Sequence, residues 1–287
     1  MKASIKGMLA QIAFPVLFIY STIQMRTKKL TVYSELDTIK MLKQGYSISR
    51  FGDGEINIAM GKKYGINFQK YSSSLQSRLV EILGEKSIEN SNFLIGIPEL
   101  MSTYHEYRYK QIVFWSIFNS SKRNWVISHL YKEGKNQSYG DTLFARVSGF
   151  KNYSHGEFYK KINLLKEIWS KKRVLIVEGE KVRLGVGNDL LSTAEKIDRI
   201  LVPASNAYDY YDEILTVVAE QKNIDLVLIV AGAMATVLAY DLYKRGYQAI
   251  DIGQFNDDYT DAIMKFGGFQ EEILSIDAYE KQIVCKI

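Results

Sequence analysis

Cysteine is almost absent from the chain, whose one residue of that type, Cys285, stands two positions from the end. A disulfide framework is therefore excluded. With 1 Cys and 3 scattered histidines (His105, His129 and His155) there is also no ligand set for structural zinc. Proline is scarce as well, at 3 residues, and no repeats or low-complexity tracts break the text. Neither sign of charge dominates: 37 basic residues face 32 acidic ones, a net charge of +5. That balance suits an anionic ligand or a membrane surface and is too weak for a nucleic-acid binder. Core material, by contrast, is plentiful. Hydrophobic residues make up 47% of the 287, with 13 Phe, 20 Tyr and 3 Trp, which rules out disorder as the main state. The length allows one large domain or two small ones. A lone terminal cysteine fits a reducing compartment, so a cytoplasmic location is expected.

No charged residue occurs from Gly7 to Met25, with Lys2 and Lys6 before the run and Arg26, Lys28 and Lys29 after it. Such a run is just long enough to cross a bilayer, which takes about 20 residues. Pro15, Gln11, Gln24 and the Ser21-Thr22 pair weigh against crossing. No small-residue cleavage site follows, so it does not read as a signal peptide. A spanning anchor, an interfacial helix held by its basic flanks and a helix packed on the protein all stay open. A membrane contact is the expectation, peripheral on the inner face of the plasma membrane. Residues 1–30 thus form an apolar N-terminal helix and 31–287 a single globular domain.

Ser34 to Asp37 opens a helix that Gly45 ends, and Tyr46 to Phe51 alternates like a strand. Phe93 to Pro98 reads as a further apolar run, and Tyr104 to Leu130 as a helix. The second half is more regular. Arg173–Val177, Ile200–Val202, Leu226–Val230 and Tyr247–Ile252 read as strands. Between them, Asn188–Lys196, Tyr208–Lys222 and Ala231–Arg245 read as helices. Continuous β-branched runs alternating with helices mark a mostly parallel sheet covered on both faces, an α/β Rossmann-like fold. Such sheets bind ligands at the carboxyl ends of their strands.

Residues with chemistry collect at those ends. Arg50-Phe51-Gly52-Asp53-Gly54-Glu55 follows a strand, and from this turn Asp53 and Glu55 can converge on a hard cation while Arg50 offers a forked donor. Equally, the turn can be plain punctuation, with Glu55 favoured by a helix dipole. Gly179, Glu180, Arg183, Gly185, Gly187 and Asn188 lie between a strand and the expected helix, where amides can face an anion or Asn188 can cap the helix. The three-glycine dinucleotide fingerprint is missing. Tyr139-Gly140-Asp141 through Arg146 reads as a turn that offers an acid and an arginine. Ser205 and Asn206, after another strand end, serve as helix cap or ligand donor. Asp251 to Tyr259 is an acidic run after the last strand, lining a cleft or simply solvated.

These stretches resemble, in order, the motifs of GT-D-type glycosyltransferases. The matching residues are Arg50 to Glu55, Tyr139-Gly140-Asp141, Val177 to Glu180, Arg183 to Leu190 and Asp251-Ile252-Gly253. The resemblance covers about residues 31 to 265. It implies a Rossmann-like fold, a nucleotide-sugar donor (usually a UDP-hexose) and a divalent metal, Mn2+ or Mg2+. The family's Asp-x-Glu motif maps onto Asp53 and Glu55. One departure follows Asp-Ile-Gly. The family pattern has His, an acid and Glu-Tyr-Glu-Trp, whereas this chain has Gln254, Asn256, Asp258-Tyr259 and Thr260-Asp261. That change touches the acceptor base or a second metal contact.

The function so implied is transfer of a hexose to a hydroxyl of a glycan, glycoprotein or lipid-linked saccharide in bacterial surface polysaccharide or glycoprotein assembly. The growing charge on the leaving diphosphate needs stabilising, and an inverting transfer needs a carboxylate to take the acceptor proton. Asp141 and Asp258 are the candidates for that proton. Two rivals remain: a catalytically silent sugar-nucleotide-binding scaffold, and a different Rossmann enzyme such as a methyltransferase or dehydrogenase.

Overall fold

The computed structural model describes residues 5–63, 68–85, 91–130, 137–266 and 273–287, with side chains from residue 12 onward. Strand order, not strand count, determines where the site falls. Among the described residues there are nine strands: β1 (Thr31–Val32), β2 (Ser47–Arg50), β3 (Phe93–Ile97), β4 (Ser138–Asp141), β5 (Arg173–Gly179), β6 (Lys196–Val202), β7 (Leu226–Val230), β8 (Ala249–Asp251) and β9 (Ile283–Lys286). They form one sheet in the order β1-β4-β3-β2-β8-β7-β5-β6-β9, and every ladder is parallel. β3 and β7 are buried along their whole length, which is why they read as unbroken apolar runs.

Helices cover both faces: α1 (Ile5–Thr27), α2 (Glu35–Lys43), α3 (Asp53–Ala59), α4 (Ser73–Leu83), α5 (Tyr109–His129), α6 (His155–Trp169), α7 (Tyr211–Glu220), α8 (Ala233–Lys244), α9 (Phe255–Phe266) and α10 (Ile276–Lys281). α6 begins at Ser154, whose hydroxyl accepts from the Glu157 amide while Glu157 reaches back to the Ser154 amide, a reciprocal cap. Trp169, Phe158, Phe255 and Tyr259 fill the core on one face, and Phe51, Phe93 and Trp115 belong to a second cluster.

One expectation fails here, and one open alternative narrows. Residues 188–195 form consecutive turns rather than a helix, and β6 starts earlier, at Lys196. The reason is that Lys166, on α6, takes Asp189 as its partner at 2.5 Å, and the Asn188 side chain accepts from the Leu190 amide. The local polar groups are thereby committed to turns. Second, α1 is packed on α5. Arg123 of α5 is fully buried and donates to the carbonyls of Gln24 (3.0 Å), Lys28 (2.7 Å) and Met101 (2.7 Å). Tyr104 donates to Ser21 at 2.8 Å. One face of α1 is thus packed on the protein, while Ile12, Val16 and Ile19 on the other are exposed. Among the described residues no helix is long and apolar enough to cross a membrane, so the spanning anchor is not supported. Lys2 and the side chain of Lys6 lie outside the described residues.

Candidate functional site

The carboxyl ends of seven strands open into one cavity of about 1060 Å3. Its wall includes Arg50 of β2, Pro98 after β3, Thr142 after β4, Gly179 of β5, Pro203 after β6, Val230 of β7 and Asp251 of β8. This is the crevice in which open parallel sheets take their ligands.

The floor is built where β2 meets β8. Arg50 donates through Nε to the Thr142 carbonyl at 2.8 Å, and its guanidinium lies 3.8 Å from Asp251. Gly253 makes room for it: at φ +59° a Cβ there would meet Arg50 Nη1 at 1.8 Å. Asp251 is nearly buried, accepts from the Gly253 amide and the Thr236 hydroxyl, and is pushed up to about 6 by burial, against the pull of Arg50. Asp53 and Glu55 occupy the first turn of α3, and Glu55 accepts from the Gly52 amide at 3.0 Å. Loss of solvent pushes the Glu55 carboxyl up to about 7, and the nearby Asp251 pushes the same way. An acidic pair held in this state is relieved by a cation. The N-terminus of α3 opens on the cavity through Gly52, Asp53 and Gly54, and that of α8 through Ala231 and Gly232. The first-turn amides of a helix favour an anion, though the Gly52 amide itself is taken by Glu55.

Arg50, Gly52, Asp53, Glu55, Gly179 and Ser205 all line this space. Other sequence candidates do not. Asp141 is fully buried beneath it, its Oδ1 accepting from the amides of Glu99 and Leu143 at 3.0 Å each. Burial pushes this carboxyl up to about 7, with the two amides opposing. Asp258 is turned into an ion pair with Arg146 at 2.9 Å, and burial raises it. Glu180 and Arg183 are exposed outside the cavity wall. Gly185 and Gly187 head no helix, and their amides are spent on Asn256 Oδ1 (2.9 Å) and the Leu274 carbonyl (2.9 Å). Asn188 donates to the same Asn256 oxygen at 3.2 Å. Asn206, at φ +57°, uses its side-chain oxygen to hold the Lys70 amide and caps no helix through that side chain.

Two lining groups, Lys181 and Lys110, were not singled out in the sequence, whereas Arg146, Asp251 and Asp257 stood there as members of a turn and of an acidic run. Position at a strand end was the available signal for Asp251. For Lys110, on α5, there was none. Among the described residues no group of three or more His, Cys, Asp or Glu side chains can hold a metal ion unaided.

The sequence profile of the family described as "Glycosyltransferase GT-D fold" matches residues 48–267, which include every strand of the cavity wall. The chain belongs to the GT-D glycosyltransferase family. It is similar to "Probable glycosyl transferase Gly" of Streptococcus gordonii, 34% identical over 80% of this chain and 32% of that protein. It is also similar to "Glycosyltransferase GlyD" of Streptococcus pneumoniae serotype 4, 30% identical over 86% of this chain and 31% of that protein. The chain thus spans about a third of the length of these curated relatives. A solved structure titled "The highly conserved domain of unknown function 1792 has a distinct glycosyltransferase fold" superposes with a TM-score of 0.81 at 31% identity, covering 94% of this chain and 99% of that one. "A New Glycosyltransferase (DUF1792) from Streptococcus sanguinis" does so at 0.79 and 29%, covering 90% and 100%. The chain thus shares the fold of these structures over 90–94% of its length.

Proposed function

We propose that the protein transfers a hexose from a nucleotide sugar, a UDP-hexose, to a hydroxyl of a glycan, glycoprotein or lipid-linked saccharide acceptor in bacterial surface polysaccharide or glycoprotein assembly. One observation carries this reading. In a GT-D member, Arg50, Asp53, Glu55 and Asp251 converge where two helix N-termini open on the same cavity.

The donor set is all carboxylate oxygen, which fits Mn2+ or Mg2+. Such a cation at a nucleotide site takes one or two carboxylates and completes its shell with phosphate oxygens. Asp53 and Glu55 would hold it, with Asp251 behind them. When bound, it would neutralise charge on the diphosphate. Arg50 and the amides at the heads of α3 and α8 bind the diphosphate and stabilise the charge that grows as the bond to the sugar breaks. The acceptor oxygen forms its bond to the anomeric carbon, the bond to UDP breaks, and the acceptor proton passes to a carboxylate. Asp257, exposed on the cavity wall, is better placed for that proton than Asp141 or Asp258, which lie off it. Arg146 positions this wall through its bond to Asp258.

The test is UDP release from a panel of UDP-hexoses with Mn2+ and an acceptor. Asp53→Asn and Glu55→Gln should each lower metal-dependent release at least a hundredfold with unchanged melting temperature. Turnover near that of the parent in both would remove the metal assignment. A silent-scaffold reading draws on Asn256, whose carboxamide is spent on Gly185 and Asn188 rather than on chemistry. UDP binding without release for any donor would favour it.

A further inference from the structure

α1 turns an apolar stripe outward. Ile12, Val16 and Ile19 are 74%, 70% and 60% exposed, and Tyr20 and Ile23 about half. These positions recur at helical spacing on one side, while Ser21 and Gln24 on the other side are buried against α5. At the end of the stripe Arg26, Lys28 and Lys29 are exposed. Residues 1–34 contain no Asp or Glu, and α5 contains none either. Two packed helices thus present apolar side chains and basic charge without a single acid.

We propose that this face of α1 binds an anionic lipid surface and holds the cavity mouth against it. Charge decides the occupant. A second copy of the chain would bring two basic, acid-free faces together, whereas anionic headgroups complement them. Direction decides what the contact does. Phe14 meets the Tyr109 ring edge-on, and Lys28 donates to Asn124, so α1 and α5 run the same way. The Ile12 end of the stripe therefore lies beside the start of α5, whose Lys110 and Phe114 line the cavity. The acceptor class that fits is a saccharide on a lipid carrier, presented from that surface. The acceptor half rests on the transfer reading above, but the lipid half does not.

Co-sedimentation of the full chain with vesicles tests it, without substrate and with UDP binding measured in parallel. Phosphatidylcholine vesicles carrying 30% phosphatidylglycerol should bind the protein at low salt. Binding should fall at least tenfold at 0.5 M salt and on pure phosphatidylcholine. Ile12→Asp with Ile19→Asp, both at exposed sites, should reduce it at least tenfold, as should Arg26→Glu with Lys29→Glu. Both double variants should keep the parent's melting temperature and UDP affinity. No binding of the folded parent to anionic vesicles would overturn the proposal. So would unchanged binding by both variants, or a dimer in sedimentation velocity that the Ile12/Ile19 pair abolishes. Loss of UDP binding with vesicle binding intact would instead count against the transfer reading alone.

Discussion

Gly253 and Arg50 show how one missing methyl shapes the site. The guanidinium is held by the Thr142 carbonyl and by Asp251, and it fills the space a Cβ on residue 253 would take. Gly253→Ala must both displace that cation and adopt a left-handed backbone, which costs about 1–2 kcal/mol. The expected outcome is a lower melting temperature together with UDP affinity reduced at least tenfold, read by calorimetry. Asp141 makes the opposite case. Its raised carboxyl means the folded chain keeps a proton that the unfolded chain, with an acid near pH 4, has released. Stability from this group is therefore greatest below about pH 4 and falls as pH rises toward 7. Asp141→Asn keeps an oxygen for the Glu99 and Leu143 amides and removes the titration. The variant should lose less stability than the parent between pH 5 and 8 in denaturant melts. It should also retain turnover, because Asp141 does not line the cavity.

At the scale of elements, the loop after β5 is the instructive one. Glycines, an asparagine and an arginine carry the composition of an anion-binding turn, and in the sequence they read either as one or as the cap of a following helix. What the one-dimensional text cannot display is that Glu178 and Arg199, both wholly buried, meet at 2.5 Å beneath that loop. Glu178 also takes the Leu184 amide, and Arg199 donates to the Leu184 carbonyl and to Gln282. Burial outweighs their attraction on both sides, raising the acid and lowering the base. Breaking such a pair strands a charge in the core, at about 3–5 kcal/mol. Glu178→Gln should lose about that much in chemical denaturation. Arg199→Lys should not substitute for the parent, since a single ammonium cannot serve three forked contacts. Elements that repeat an apolar period, such as β5, β7 and α8, were legible from sequence because burial dictates their residues. Asp251 was visible only as one acid in a run, because its meaning depends on which strand lies beside β8.

For the whole molecule, α1 is part of the fold and not an appendage. Removing residues 1–29 strips Arg123 of the Gln24 and Lys28 carbonyls and bares the face of α5. The truncated chain should be markedly less stable, or insoluble, by thermal melt and gel filtration. A truncation is therefore the wrong instrument for separating lipid contact from catalysis, and substitutions on the outer face are the right one. The α/β class and the parallel sheet followed from continuous apolar runs, but sheet order did not, since long-range pairing leaves no local trace.

That order has a consequence for the growing chain. β1 to β4 lie together on one side and β5 to β9 on the other, and the ladder that joins them is β2 with β8. As the polypeptide leaves the ribosome, the edge of β2 at Ile48 waits for a partner just over two hundred residues downstream, at Ile250. Until then an unpaired strand edge stands open, the kind of surface that draws chaperones and invites wrong pairing. Arg50 and Asp251 sit on opposite sides of this seam, so a fragment that stops short of β8 has half of the floor and no site. Closure of the Arg50–Asp251 floor is in this way a check on how far translation has run: only a chain that includes β8 can complete it.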